Sequence, residues 1–451
     1  MQYYYNYHNE ELGNENQSIH LSDTLSLDVK TYFCGLIVLP ATCLDAIDPY
    51  TSRDITIKSE RHDLEFNYTL NLKNFRLITG TSARLDIVSA DNVFRDNNTL
   101  YHKLYRGFAH GEYRLHNDWL FNAGFMVENN DISGTDFSPR VSILRHINKN
   151  HTLRLGASRA TRTPTLYDQN AYNVIETTLT ENGGQVLSAP LQALLGGTDV
   201  MTSVSLISNG NIQSEEIKSI ELGYIARLLN NRLTLDIKLF KDNTDNLIGE
   251  TGGGSEATVL EDNVGGEADE VLNMFKTETE GTEIALDYKL AKDYRIYTHY
   301  TYIDISAETF ESRSNPRDIR RLTVSAPKKT FGLTLIKHWP EDLDASINYY
   351  QVSDMDWLDR TGSTYPGGPG DRSAQAYKKM DLKLSKQYNT GNKKLKLSRT
   401  LLNGLDDFFD YNRTRYTDNT LTTVYPSTNT LNSYGSIQDM RAYLEISLEF
   451  N

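Results

Sequence analysis

Histidine is the residue type here best suited to bind a metal ion, and three of the ten histidines lie close together. His102, His110 and His116 fall at alternating positions of one predicted strand, so they share a face. His102 and His110 are separated by seven residues, which is too far along an extended strand for both rings to reach one ion. We therefore predict no metal site and no cofactor.

Catalytic patterns are also missing from the sequence. A hydrolase needs a nucleophile, a base and an orienting group brought together at one place. The sequence has no nucleophile-elbow pattern, no His-Glu-x-x-His pattern and no paired carboxylates beside a histidine. Its glycine runs, such as GGTD, GGG and VGG, do not form a phosphate-binding loop pattern. The sequence therefore predicts a protein that is not an enzyme and has no catalytic residues.

Cys34 and Cys43 are the two cysteines, and they lie nine positions apart in one predicted long loop. Outside the cytoplasm such a pair would be oxidised to a disulfide that cross-links the loop. We predict a disulfide between them, with two free thiols as the alternative.

The charge balance excludes one class of partner. The chain carries 60 acidic and 46 basic residues, for a net charge of -14, and no run rich in lysine and arginine. Nucleic-acid surfaces are basic, so no nucleic-acid partner is expected. Acidic residues gather in segments such as 249–270, which favours a solvated loop over a calcium site because the spacing of an EF-hand is absent.

Long amphipathic strands are the elements that must position these side chains. Leu64, Phe66 and Tyr68 alternate with Glu65 and Asn67, so that one face of the strand suits an apolar medium and the other suits water. The mean hydropathy of -0.52 is low for a packed core of 451 residues. The longest apolar run is about half the ~20 residues of a spanning helix and contains a proline. Together these features predict an antiparallel transmembrane β-barrel whose lumen is wet and whose outside contacts the lipid bilayer.

About sixteen strands are predicted within a single β-barrel domain over residues 1–451. Short turns rich in Asn and Asp join the strands at one end, and long polar connections join them at the other, as in outer-membrane barrels. The predicted strands and hairpins are 2–8, 59–89, 101–128, 136–160, 215–245, 275–305, 322–352, 376–402 and 439–450. The long connections are 9–58, 160–214, 246–274, 353–375 and 403–437.

Two segments of the sequence resemble the barrel of TonB-dependent outer-membrane receptors. The first, 137–168, has Ser-Pro-Arg at a strand start and then an Arg-x-Pro-x-Leu signature; the second, 209–240, runs from a Glu-rich strand start into Glu-Leu-Gly. Weaker similarities follow in the family's order, and together they span roughly 136–450. We expect the matching positions to be mainly structural at the ends and inner faces of strands. They are Pro139, Arg140, Arg162, Pro164, Glu216, Glu221, Gly223 and Pro327.

The resemblance implies a receptor that takes up a scarce, bulky nutrient, such as a ferric siderophore or a similar metal chelate. It implies a monomer in the outer membrane of a Gram-negative bacterium, with the TonB complex as partner of the intact receptor. Family barrels have 22 strands preceded by a plug domain, and no signal peptide, plug or coupling box is recognised here. We therefore expect these residues to be the barrel part of a receptor, unable to carry out TonB-driven transport alone. A passive sixteen-stranded porin, a non-functional receptor fragment and a barrel enzyme are the alternatives, and the sequence does not identify the ligand.

Overall fold

In the computed structural model the protein consists mainly of β-strands. The structure describes residues 2–12, 47–52, 55–91, 93–94, 99–181, 185–186, 200–251, 268–310, 319, 322–355, 376–390, 393–405, 408–410, 436–438 and 440–450. Cys34 and Cys43 lie outside these residues. The elements are β1 (Gln2–Leu12), β2 (Ile47–Ser52), β3 (Ile55–Asn71), β4 (Phe75–Ala90), β5 (Leu100–Leu115), β6 (Trp119–Asn130), β7 (Gly134–Asn148), β8 (His151–Arg162), α1 (Leu166–Asn170), β9 (Tyr172–Glu181), β10 (Gln185–Val186), β11 (Val200–Ser208), β12 (Glu215–Leu228), β13 (Leu233–Glu250), β14 (Asp269–Ala291), β15 (Tyr294–Thr309), β16 (Lys329–Trp339), β17 (Leu343–Val352), β18 (Tyr377–Thr390), β19 (Lys393–Leu402), β20 (Phe408–Asp410), β21 (Ser436–Gln438) and β22 (Arg441–Phe450).

One antiparallel meander forms the frame of the molecule. Its neighbours, in order, are β1, β3 to β8, β12 to β19 and β22, which confirms the predicted all-β fold of about sixteen principal strands. Within the described residues β1 and β22 are not paired with each other. In the same part of the chain, no helix has the length and apolar character to cross a membrane.

The tight turns behave as their sequence predicts. The chain reverses between β12 and β13 at Asn230 and Asn231, whose φ angles are 57° and 64°. Asn tolerates this left-handed conformation because its short polar side chain can bond locally. Each such turn fixes the register of the two strands that it joins, and register then decides which side chains face each other.

The two faces of the meander differ in polarity. One face exposes large apolar side chains, among them Phe66, Val141 and Ile220, which are 52%, 56% and 61% exposed. The residues between them, such as Asn67 and Glu221, are polar and lie on the other face. We call these the apolar face and the inner face. Apolar exposure on this scale fits a surface solvated by lipid.

The apolar face is only as tall as a bilayer requires. Along β3 and the residue that follows it, this face runs from Leu64 to Leu72, about the 9–11 residues of a transmembrane strand. Farther from the tight turns the same face becomes charged, because Lys241 of β13 lies 2.7 Å from Glu278 and 2.8 Å from Glu280 of β14. β13 and β14 have 18 and 23 residues, so this hairpin continues well beyond the apolar band.

The connections predicted as long loops contain structure of their own. The 160–214 connection holds α1, β9, β10 and β11, and the 9–58 connection holds β2. β9 pairs with β2 and β11, and β11 then runs parallel to β14 through Leu206 to Ser208. A small sheet is thereby attached to the loop end of the meander.

The expectation that all tight turns lie at one end is wrong at one point. Three residues, 131–133, join β6 to β7 at the loop end. The side-chain oxygen of Asn130 accepts hydrogen bonds from the backbone N–H of Ile132 at 2.9 Å and of Ser133 at 2.7 Å, and Gly134 has φ +87°. This local turn closes the connection without a long loop because Asn replaces backbone partners and Gly accepts positive φ.

Buried apolar packing is concentrated at the loop end. One cluster holds Ala90, Val93 and Phe94, and a second holds Ala171, Leu206, Ile212 and Val271. Tyr167 of α1 packs against both clusters. Among the described residues, apolar packing is therefore concentrated where the chain folds over the loop end of the meander. We call residues 163–170, which include α1, the cap.

Candidate ligand-binding site

A cavity of about 800 Å³ opens on the inner face near the loop end of β3 to β6. The segment that leaves β8, residues 161–167, covers one side of it. Its wall combines apolar side chains with four arginines and several carboxylates. The main lining residues are Ile57, Arg61, Arg84, Asp86, Val88, Phe94, Leu104, Arg106, Met126, Glu128, Arg162, Pro164 and Tyr167.

Two ion pairs in this wall follow directly from the register of β3 and β4. Arg61 stands opposite Asp86 and Asp63 opposite Arg84. Arg61 Nε donates to Asp86 Oδ1 at 2.6 Å, and Arg84 Nε donates to Asp63 Oδ2 at 2.7 Å. Both carboxylate side chains are 14% exposed, whereas the arginines are more open to solvent.

A third pair joins β5 to β6 and reaches the cap. Arg106 Nε donates to Glu128 Oε2 at 2.5 Å, and the Glu128 side chain is 8% exposed. The other carboxylate oxygen of Glu128 accepts a hydrogen bond from the Thr163 hydroxyl. A buried carboxylate is stable only with such partners, so Glu128 holds the start of the cap against β6.

A fourth pair fixes the last residue of β8. Arg162 donates to Glu215 through Nε at 2.5 Å and Nη2 at 2.6 Å, a bidentate arrangement with both charges satisfied. Glu215 Oε1 also accepts from the backbone N–H of Ile248 at 2.9 Å. The exit from β8 is thus clamped to β12 on one side and, through Thr163, to β6 on the other.

The chain after this exit folds over the cavity. Pro164 is buried, and Thr165 caps α1 by accepting from Asp168 N at 3.0 Å while the Asp168 carboxylate accepts from Thr165 N at 2.8 Å. Ser208 Oγ of β11 donates to the Asp168 carbonyl at 2.7 Å. Tyr167 OH accepts from Asn173 Nδ2 at 2.7 Å. These contacts hold α1 in one position above the inner face.

Two of the eight family-motif positions, Arg162 and Pro164, line the cavity. Pro139 lies opposite Phe125 on the apolar face, and Arg140 is an exposed side chain on the inner face. The structure does not bring these two residues to the cavity wall.

The glutamates of the second motif pair outside the cavity. Glu216 lies 2.5 Å from Arg159 and 2.6 Å from Lys218, on the charged continuation of the apolar face. Glu221 lies 3.4 Å from Arg154 on the inner face. Gly223 stands opposite Arg154, and a Cβ there would lie 3.2 Å from Arg154 Nε.

Pro327 precedes β16, away from the cavity. The next residue, Lys328, places its ammonium 2.7 Å from Asp304 Oδ1. This hydrogen bond raises the pKa of Lys328.

His102 borders the cavity and is paired with a carboxylate. Its ring is buried, with Nδ1 2.8 Å from Asp131 Oδ1 in the short turn between β6 and β7. Across the described ranges, no group of three or more His, Cys, Asp and Glu side chains is arranged to hold an ion.

The sequence analysis did not identify most of the charged residues in the cavity wall. The missed residues are Arg61, Asp63, Arg84, Asp86, Arg106, Glu128 and Glu215. The turn at 72–74 fixes the register of β3 and β4, which puts Arg61 opposite Asp86 and Asp63 opposite Arg84. The turn at 116–118 fixes the register of β5 and β6, which puts Arg106 opposite Glu128. Glu215 is separated from Arg162 by the long connection and leaves no such local signal.

Solved structures with the same fold include siderophore and iron receptors. The siderophore receptor PirA from Acinetobacter baumannii superposes with a TM-score of 0.57 at 17% identity, over 88% of this chain and 55% of its own. A variant of the ferric enterobactin receptor PfeA from Pseudomonas aeruginosa, in complex with enterobactin, gives 0.58 at 15%, over 89% and 58%. The FrpB iron transporter from Neisseria meningitidis gives 0.58 at 10%, over 89% and 59%.

This chain therefore spans a little over half the length of those structures, and identities this low carry the fold alone. No curated protein matches it in sequence. A family model does match: TonB dependent receptor-like, beta-barrel, over residues 2–403. Proteins of this family are outer-membrane receptors of Gram-negative bacteria and are not enzymes, in agreement with the sequence expectation. Since the match covers most of the chain, this protein belongs to the family of TonB-dependent receptor β-barrels.

Proposed function

We propose that these residues form the β-barrel part of an outer-membrane receptor that binds a ferric siderophore or a similar bulky metal chelate and takes it up with TonB. The observation that carries the proposal is the cavity under α1 at the loop end of the inner face. Its volume of about 800 Å³ falls within the range of small-molecule sites, roughly 300–1,000 Å³. Receptors for siderophores and for ferric enterobactin share the fold, which supports the same class of ligand.

The proposed mechanism needs no covalent chemistry. The cap and the wall of β3 to β6 bind the chelate, while the apolar face holds the chain in the bilayer as a multi-pass barrel. The TonB complex supplies energy to the intact receptor, which we expect to act as a monomer. The barrel itself contributes a rigid wall and a wet inner face.

Filling the cavity tests the proposal. Met126 lies on the inner face and lines the cavity, whereas its neighbour Val127 is on the apolar face. Met126→Trp should weaken binding of a ferric chelate by at least tenfold, because the indole would occupy the ligand volume. Val127→Trp is the matched control and should leave affinity unchanged, since Trp is tolerated on a lipid-facing surface.

Binding would be measured by titration calorimetry on the 451-residue chain in detergent micelles, with a panel of ferric siderophore complexes of different chemistry. Equal affinity in the Met126→Trp and Val127→Trp proteins would place the ligand elsewhere. A chain that is folded by circular dichroism but binds none of the complexes would contradict the proposal itself.

A passive channel is the second candidate, and the sixteen-stranded meander is the observation that favours it, since sixteen is a strand number found in porins. Conductance measured in a planar bilayer distinguishes the two functions. A porin would give steady conductance with no saturable chelate binding, whereas a receptor barrel would bind chelate at micromolar or lower concentration.

A further inference from the structure

We infer that the cavity selects electrically neutral metal chelates over strongly anionic ones. This inference rests on the proposed function and narrows its ligand class. A neutral chelate is one in which iron(III) is bound by three hydroxamate groups, whose charges cancel that of the metal. A complex with three catecholate groups carries three negative charges. The inference follows from how the arginines of the cavity wall are paired.

Each of the four arginines in the wall has a carboxylate of its own. Arg61 pairs with Asp86, and Arg84 with Asp63, across β3 and β4. Arg106 pairs with Glu128 and Arg162 with Glu215, each at 2.5 Å. Among the charged groups that the structure describes at this wall, the four positive charges are therefore cancelled.

The carboxylates are the buried partners in all four pairs. Their side chains are 14% exposed or less, while those of the arginines range from 25% to 56%. An anionic ligand that recruited an arginine would have to compete with a carboxylate that cannot turn to solvent. Leaving a buried carboxylate without its partner is strongly unfavourable, so the arginines are not free to neutralise a ligand.

The rest of the wall suits an uncharged ligand. Val88, Phe94, Leu104, Met126 and Tyr167 supply apolar surface around the charge pairs. Burying this apolar surface against the methylene arms of a hydroxamate chelate favours binding, whatever the charge of the chelate. The outward N–H groups of the paired arginines can still donate to neutral carbonyl oxygens, because each guanidinium has five donors.

The test compares two gallium(III) complexes of similar size, a neutral trihydroxamate and a triply anionic triscatecholate. Gallium replaces iron(III) to prevent redox chemistry. Affinities are measured by titration calorimetry on the 451-residue chain in micelles, at low and at physiological ionic strength. We expect the neutral complex to bind at least tenfold more tightly, with an affinity that changes little with salt.

A charge variant makes the same test independent of ligand shape. Glu128→Gln keeps the size of the side chain and releases Arg106, so it should raise the ratio of the affinity for the anionic complex to the affinity for the neutral complex about tenfold. Asp287→Asn is the matched control, because Asp287 pairs with Arg295 at 2.6 Å near the tight-turn end, away from the cavity. Should Glu128→Gln fail to fold, Asp86→Asn releases Arg61 in the same way.

The outcomes separate this inference from the proposed function. Tighter binding of the anionic complex by the unmodified chain, with an affinity that falls as salt rises, would overturn the charge selection and leave the receptor function standing. No gain for the anionic complex in either carboxamide variant would also overturn it. Binding of neither complex would contradict the receptor function first.

Discussion

Single residues on the inner face show how closely its strands approach each other. Gly281 of β14 stands opposite Phe240 of β13, and the phenyl ring lies over the space that a Cβ at 281 would fill. The backbone oxygen of Tyr302 would be only 2.7 Å from that Cβ. Glycine is therefore required here for space, because a larger residue would collide with backbone on one side and a ring on the other.

Gly281→Ala should destabilise the folded chain by about 1–3 kcal/mol, since the new methyl group overlaps atoms that are held in the sheet. Gly107→Ala on β5 is the control, because a Cβ at that position meets nothing within 4 Å. Urea unfolding in micelles, followed by circular dichroism, measures both changes. An equal loss in the two variants would show that the collision at position 281 does not set the effect.

At the scale of elements, the exit from β8 is the junction on which the site depends. Arg162 and Thr163 clamp the strand end to β12 and β6, and Pro164 and Thr165 then start α1. A helix of five residues is too short to be stable alone. Its position therefore depends on the capping box and on the contacts of Tyr167 with the two buried clusters.

Thr165→Ala should loosen α1 by about 1 kcal/mol, because it removes the side-chain acceptor for Asp168 N. Hydrogen exchange read by mass spectrometry should speed up in the peptide spanning 165–170, with little change in β8. Thr165→Ser keeps the hydroxyl and should restore protection. Unchanged exchange in the alanine variant would mean that packing of Tyr167 alone holds the helix.

At the scale of the whole molecule, the alternation of the two faces defines how the chain sits in a membrane. Val141 is exposed on the apolar face near the middle of β7, and Ser142, the next residue, lies on the inner face, where its hydroxyl oxygen accepts from Asn122 Nδ2 at 3.1 Å. β7 is paired with a neighbouring strand on both sides, so side chains decide which of its faces meets lipid.

Val141→Arg should destabilise the chain folded in lipid vesicles by about 2–4 kcal/mol, the cost of a cation near the bilayer midplane on a lipid-facing strand. Ser142→Arg places the same charge on the wet face and should cost much less. Urea titration of the folded fraction in vesicles measures both. If the serine variant were the more damaged, the assignment of the two faces would be reversed.

The principal strands were predictable from the sequence because they are amphipathic and most of them begin or end at a short turn that contains Asn or Asp. Asn230 and Asn231 mark one such reversal, and alternation in β12 and β13 extends from it. The strands β9 and β11 were not predictable in the same way. They pair with β2 and β14, which are distant in sequence, so no turn sequence next to them predicts these pairings.

The candidate site was predictable in part. Arg162 and Pro164 were recognised from a motif, and the pairs of Arg61 and Arg84 follow from hairpin register. The contact of Thr163 with Glu128 is different in kind, because it depends on how the long connection folds back over β6. Side-chain periodicity carries information about faces of strands and none about the path of a connection after the last strand residue.

β14 is longer than a strand needs to be to cross a bilayer. A strand of 23 residues at about 3.3 Å per residue is roughly 75 Å of chain, and a tilt near 45° leaves about 50 Å along the membrane normal. The lipid-facing band accounts for only about 25 Å of that height. We expect the loop end of the β13–β14 hairpin to extend about 25 Å beyond the lipid-facing band. We expect antibodies or phage particles that approach a cell carrying this protein to meet this hairpin before they reach the bilayer.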